Sequence, residues 1–438
     1  MNYYKYIFIL NIKLFLSLNV YLGNDTSLIF EERIYDKNIH TVLCHQKDNQ
    51  LTSPIINLNS EEKLELHFDD FSNELDDYYY TIIHCDSEWK KSDLLQSEYI
   101  NGFFENRIEN YKFSFNTLKK YTHYSLIFPE DLLMPKLSGN YIIQVFRDNN
   151  RDNIVFTKKF MILEEKVNII PNIKRATLIE DRNSKQEVDF TISHENLYIS
   201  NPYSDIKVIV KQNNRDDNSI KSLKPLFIKE DLLIYDYQDE NVFYANNEFR
   251  YFDIQSIRYL SERIKDIKFS SSDSAYTANI DTSYFEVELY TDISRSFNEY
   301  ITISDLNGDY LINKQEAWDS DIEGEYVNIK FSLLENRITY GDIYIVGKFT
   351  NWILSEENKL KFNNKNRRYE LSMLLKQGYY NYLYVVKDNN SNKINTSFIE
   401  GSHYECRNEY YIYVYYKDIM NNYDQLIGYI KTSSKSLF

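Results

Sequence analysis

The stretch Lys63-Leu64-Glu65-Leu66-His67-Phe68 alternates polar and apolar side chains without a break. Successive side chains of a strand point to opposite faces, so this segment reads as a half-buried β-strand. Phe285-Glu286-Val287-Glu288-Leu289 and Val327-Asn328-Ile329-Lys330-Phe331-Ser332-Leu333 repeat the pattern. Tyr80-Thr81-Ile82-Ile83, Tyr141-Ile142-Ile143-Gln144-Val145-Phe146 and Tyr410-Tyr411-Ile412-Tyr413-Val414-Tyr415-Tyr416 are nearly continuous apolar runs, as strands covered on both faces are. Turn signals separate them: Ser138-Gly139-Asn140, Asn307-Gly308 and Asp388-Asn389-Asn390-Ser391-Asn392. Strands at such short intervals, without long helical stretches between, predict an all-β chain of two or three stacked immunoglobulin-like β-sandwich domains.

One segment runs against the period of two. Ile254, Ile257, Leu260, Ile264 and Ile267 fall at helical spacings, although the same stretch could hold two short strands. Domain boundaries are weakly marked, because the 438 residues include only 10 Gly and 6 Pro. A break is expected after Phe160-Met161-Ile162-Leu163, and a second near Leu334-Glu335-Asn336. The expected division is 1–23, 24–165, 166–335 and 336–438.

The net charge is −16, from 50 basic and 66 acidic residues. Nucleic acid calls for a basic footprint, and an anionic membrane surface is disfavoured for the same reason. Residues 1–23 carry Lys5 and then a mostly apolar run, the pattern of a secretory signal. A transmembrane β-barrel is disfavoured: charged residues fall on both faces of several strands, which breaks any lipid-facing band. No direct membrane insertion of the mature chain is expected. The three cysteines, Cys44, Cys85 and Cys406, are too few for a disulfide scaffold and too scattered for a zinc site. Export would permit a Cys44–Cys85 bridge if their strands are neighbours; buried thiols are the alternative.

Signatures of catalysis are sparse. Asp305-Leu306-Asn307-Gly308-Asp309 with Glu316 imitates a calcium-loop register, but Tyr310 occupies the position that needs glycine. Asn307-Gly308 is also a strong hairpin signal, so a plain turn is expected. His84-Cys85-Asp86 suggests a thiolate with His84 or His123 as base, yet neighbours on a strand face opposite ways. No hydrolase or nucleotide-binding signature is present. No catalytic, cofactor-binding or metal residues are assigned, and no cofactor is expected.

The segment Ile343-Tyr344-Ile345-Val346-Gly347-Lys348-Phe349-Thr350-Asn351-Trp352, followed by Tyr369 and Lys376-Gln377-Gly378-Tyr379-Tyr380, resembles the early-set immunoglobulin-like sandwiches found as glycogen-binding modules. The resemblance implies a C-terminal sandwich over 336–438. In the alternative functional reading, an exported carbohydrate-binding protein, Trp352 would stack on a sugar ring.

Several segments together resemble the plug protein family of the type IX secretion system. They are Tyr80-Thr81-Ile82-Ile83-His84-Cys85-Asp86-Ser87-Glu88-Trp89-Lys90-Lys91-Ser92, Glu98-Tyr99-Ile100-Asn101-Gly102-Phe103, Phe113-Ser114-Phe115-Asn116-Thr117, Tyr121-Thr122-His123-Tyr124, Ser138-Gly139-Asn140-Tyr141, Asn247-Glu248-Phe249-Arg250-Tyr251-Phe252-Asp253 and Lys376-Gln377-Gly378-Tyr379-Tyr380-Asn381-Tyr382. Their order and spacing cover about residues 30–430. Ala245-Asn246 depart from the pattern, where small glycines are expected.

The resemblance implies a non-enzymatic periplasmic β-protein on the inner face of the outer membrane. It would occlude the periplasmic mouth of the giant outer-membrane β-barrel translocon, its expected partner. The signature residues are His84, Cys85, Asp86, Trp89, Ser92, Gly102, Ser138, Gly139, Asn140, Tyr141, Asn247, Glu248, Phe249, Arg250, Gly378 and Tyr379. Most are expected to be structural: Trp89 in a core, Gly139-Asn140 as a left-handed turn, Gly102 relieving a backbone constraint. The partner-binding residues are not assigned.

Overall fold

The computed structural model describes residues 28–434 apart from 73, 222, 271–282, 392 and 418–421. The expected signal, residues 1–23, lies outside the described residues. The described residues are 48% strand and 5% helix. Among the described residues the strands form seven sheets, mostly antiparallel, in an all-β sandwich fold. No helix among the described residues is long and apolar enough to cross a membrane.

Strand pairing sorts the sheets into three lobes. In the first, one sheet is built on Tyr78–Cys85, Gly139–Arg147 and Ile154–Leu163, and the opposing sheet on Ile39–Gln46, Leu64–Asp70 and Thr122–Phe128. The alternation of the opening segment is realised here. Leu64, Leu66 and Phe68 enter a core with Tyr78, Tyr80, Tyr124, Tyr141 and Phe156, while His67 faces away from it. Phe68 stacks on Tyr124 with ring centroids 5.2 Å apart.

The second lobe pairs Asn168–Arg175 with Lys185–Ser193, and Ile206–Gln212 with Glu409–Lys417 and Asp424–Ser433. Its C-terminal sheet is covered on both faces. Tyr410, Ile412 and Val414 lie in the lobe's own core, whereas Tyr411, Tyr413 and Tyr415 meet Ile142, Met161 and Leu163 of the first lobe. That double burial is why the run 410–416 shows no polar face.

The third lobe faces a sheet built on Arg250–Asp253, Gly341–Val346 and Gly378–Asp388 against one built on Ile264–Ser270, Tyr284–Leu289, Tyr326–Leu334 and Arg368–Lys376. The strands on either side of the boundary expected at 335 are paired with each other. Tyr326–Leu334 pairs with Arg368–Lys376 across it, and the last two strands of the chain return to the second lobe. Local sequence marks strand ends, but these partners lie far apart along the chain, and no Gly/Pro linker flags the crossings.

The helical spacing at 254–267 is overruled. Ile264–Ser270 is an edge strand paired with Tyr284–Leu289, and Ile254 and Ile264 still reach the lobe core. Sheet pairing thus satisfies the same apolar residues without helical hydrogen bonds.

Candidate functional site

Most signature residues fall into two clusters, one at the first–second seam and one in the third lobe. At the first–second seam, His84 and Tyr141 are cross-strand partners with ring centroids 4.9 Å apart. The His84 Nε2–H donates to the Ser138 carbonyl at 3.3 Å, and Nδ1 lies 3.0 Å from the Ser92 hydroxyl. Burial lowers the His84 ring to about 4, so it is neutral at pH 7. Gly139 opens its strand at φ +136°, and a Cβ there would lie 2.7 Å from His84 Nε2 and 2.9 Å from the Asp424 carbonyl. The pair Gly139-Asn140 is thus not the expected turn. Asn140 is a strand residue whose amide donates to the Asp86 carbonyl at 2.9 Å and whose carbonyl oxygen accepts from Tyr415 at 2.9 Å.

Asp86 and Trp89 lie in the tight turn after Tyr78–Cys85. The Asp86 carboxylate accepts from the Glu88 and Lys90 amides, each at 2.9 Å, and Trp89 stands at φ +66° with the Lys159 ammonium 4.6 Å from its ring. Ser87 at the same turn donates its amide to Asp424 of the second lobe at 2.9 Å. Trp89 and Cys85 both belong to the core between the lobes. Gly102 stands at φ +98°, where a Cβ would come within 2.3 Å of the Leu132 carbonyl.

The second cluster lies in the third lobe, and next to it Asn246 donates to Gln212 of the second lobe at 3.3 Å. Arg250 is buried and pairs with Glu400 at 3.0 Å and Asp292 at 2.8 Å; Arg295 reaches Glu400 at 2.6 Å. Burial alone would raise the Glu400 carboxyl, but the two guanidiniums outweigh it and hold it below its usual range. Asn247 donates to the Glu400 carbonyl at 2.9 Å, and Glu248 accepts from Tyr300 and from the Arg407 amide. The Phe249 amide donates to Asp305, whose carboxyl burial raises to about 7. Asn246 supplies the left-handed residue that a glycine was expected to provide, at φ +58°. Gly378 lies where a Cβ would meet the Leu311 carbonyl at 2.3 Å, and Tyr379 stacks on Tyr251.

The structure separates the sequence-level catalytic candidates. Cys85 sits in the inter-lobe core, whereas His123 donates to Asp69 on another sheet at 2.7 Å. All three cysteines are free and buried, and burial raises the Cys44 and Cys85 thiols to about 12, which removes their nucleophilic thiolates at neutral pH. Asn307-Gly308 forms a turn, and Glu316 accepts from Ser256 rather than joining Asp305. Trp352 is half-buried; it makes an edge contact with Phe249, and the Arg215 guanidinium lies 4.8 Å from its ring centroid.

A cleft of about 450 Å³ opens where the three lobes meet. It is lined by Trp89 and Lys159 of the first lobe, Lys211 and Asp216 of the second, and Lys348 and Trp352 of the third. Its charges are paired internally: Asp216 binds Lys211 at 2.5 Å and Lys159 at 3.1 Å, and Lys348 binds Asp309 at 2.7 Å. The cleft therefore acts chemically as a polar seam holding three lobes in one arrangement.

Sequence reasoning missed a third seam. Lys376, 1% exposed, donates to Asp69 of the first lobe at 2.6 Å and to the Asp321 carbonyl at 2.6 Å. Tyr326 donates to the same Asp69 carboxylate at 2.6 Å. Burial opposes ionisation of Asp69, but Lys376 and His123 outweigh it and hold the carboxyl at about 2. The one available signal was Thr122-His123-Tyr124, which places His123 and Tyr124 on opposite faces of a strand.

A crystal structure of a hypothetical protein from Parabacteroides merdae matches with a TM-score of 0.87 and 34% identity, covering 93% of this chain and 100% of that one. Among curated proteins, none matches. The family described as Type 9 secretion system plug protein 1st domain matches residues 39–164, which span nearly all of the first lobe. Residues 39–164 thus carry the first domain of the type 9 secretion system plug protein family, which associates the chain with type IX secretion and with the cell envelope.

Proposed function

We propose that this protein is a non-enzymatic periplasmic plug that sterically occludes the periplasmic opening of the type IX secretion outer-membrane translocon. It would dock on the inner face of the outer membrane and bind the giant β-barrel directly. The observation that carries the reading is the locking of three sandwich lobes by buried seams: Ser87 bonds Asp424 between the first and second, Asn246 bonds Gln212 between the third and second, and Lys376–Asp69 is sealed from water between the third and first. A lid must hold its shape against an open passage, and sealed ion pairs of this kind fix one relative placement of the parts they join. Family membership supports a structural rather than catalytic role. The perturbed groups at the seams each have a structural partner, as described above.

Affinity purification of a tagged copy from gently solubilised envelope, followed by mass identification, tests the reading. A very large outer-membrane barrel protein should co-purify, and deletion should make cells leak small solutes wherever that barrel is otherwise open. Recovery of the protein alone would overturn it.

A further inference from the structure

We propose that His67, His123 and Asp321 form a binding site for a zinc-class divalent cation that clamps the first lobe to the third. His67 and His123 project from the neighbouring strands Leu64–Asp70 and Thr122–Phe128, on the face turned away from the first-lobe core. Asp321 belongs to the short helix Ser320–Glu323 of the third lobe. Their ligand atoms all lie within 4.8 Å of one another. His67 Nδ1 is 3.7 Å from one Asp321 oxygen, and His123 Nε2 is 3.8 Å from the other. Two ligands at zinc bond lengths in a tetrahedron stand roughly 3.3 Å apart, so each histidine must close on the carboxylate by about half an ångström and the three ligand atoms must draw together by at most roughly 1.5 Å.

The hydrogen bonds around the cluster decide where the ring protons are. His45 Nδ1 lies 2.8 Å from the Gln46 carbonyl, which can only accept, so Nδ1 carries the proton and Nε2 of the neutral ring offers a lone pair. That lone pair, 2.9 Å away, takes the proton of His67 Nε2, leaving His67 Nδ1 bare. His123 Nδ1 donates to Asp69 at 2.7 Å, leaving Nε2 bare. With one proton on each ring, these bonds turn two imidazole lone pairs, not N–H groups, toward the Asp321 carboxylate. Converging acceptors repel one another unless a cation lies between them. A histidine whose far nitrogen is tied to a carboxylate is also the usual support of a metal-bound imidazole.

The Lys376 ammonium does not fill this role. It is bonded to Asp69 and to the Asp321 backbone carbonyl, not to the Asp321 carboxylate. The acidic cluster Glu187, Asp189 and Asp236 makes the contrast, since the Lys174 ammonium already lies 3.0, 2.5 and 3.6 Å from its three carboxylates. The Asp321 side chain is 34% exposed, so an ion can enter and keep a water as its fourth ligand. Bridging two lobes, the ion would stabilise their junction by mass action.

Zinc chloride titrated into the purified, tag-free full chain tests this by calorimetry and by metal analysis after gel filtration. One zinc per chain is expected, together with a higher unfolding temperature. Asp321→Asn keeps the backbone contacts of Asp321 and should weaken zinc binding by about tenfold or more and abolish the thermal shift. Asp236→Asn, in the lysine-filled cluster, should leave zinc binding unchanged. No saturable zinc on the wild-type chain, or a weakening by Asp321→Asn of less than about tenfold, would overturn the site. Because the readout is metal content and stability, the outcome is independent of whether the protein plugs a translocon.

Discussion

Across the first–second seam, Tyr411, Tyr413 and Tyr415 meet Met161 and Leu163; across the first–third seam, Lys376, Tyr326 and Asp321 meet Asp69, His67 and His123. The first junction is mainly apolar area, edged by hydrogen bonds and by the Lys159–Asp216 pair at the cleft. The second is a buried ionic network in which each charge depends on its partner. Apolar contact is non-directional and tolerates small slips, whereas a sealed ion pair accepts one geometry and leaves an uncompensated charge when broken. The two seams should therefore fail differently, and the ionic one is where a cation or a charged partner can act.

Three perturbations test that contrast. Lys376→Met leaves Asp69 buried without its ammonium and should cost about 3–5 kcal/mol in denaturant unfolding. Hydrogen exchange should then rise first in Thr122–Phe128 and Tyr326–Leu334; uniform loosening of both seams would erase the distinction. Tyr415→Phe removes one neutral bond of the apolar seam, to Asn140, and should cost about 1–3 kcal/mol with no lobe-specific loosening.

The smallest effect is expected from Asp305→Asn, in the third-lobe cluster, read as a pH profile of stability. The folded Asp305 carboxyl titrates at about 7, above its unfolded value, because it is buried beside Glu248. Its contribution is full below about pH 4, where both states are protonated, and is lost as pH rises through about 7. The variant should flatten that decline relative to wild type; an unchanged slope would assign it to other groups, of which the raised Glu248 carboxyl is the nearest.

Parts of the candidate seams were legible in the sequence. The run 410–416 announced double burial, and His84-Cys85-Asp86 announced that its two reactive side chains face apart. Trp89, expected in a core, lies in the one between lobes. The clamp at His67, His123 and Asp321 was not legible, because its ligands come from two lobes and no short spacing links them. The pairing across 335 was not legible for a related reason, as neither Tyr326–Leu334 nor Glu409–Lys417 carries any local mark of its partner.

What the sequence determined by itself was the alternation of side chains along each strand, and with it that His67 turns away from the face of Leu64, Leu66 and Phe68. Side-chain direction in a strand is fixed by backbone geometry one residue at a time, so it needs no knowledge of the rest of the chain. Only the tertiary structure decided what that outer face meets: Tyr326, Lys376 and Asp321 of a distant lobe. Which sheets stack depends on shape and charge complementarity summed over segments far apart in the chain, and no local pattern records that sum.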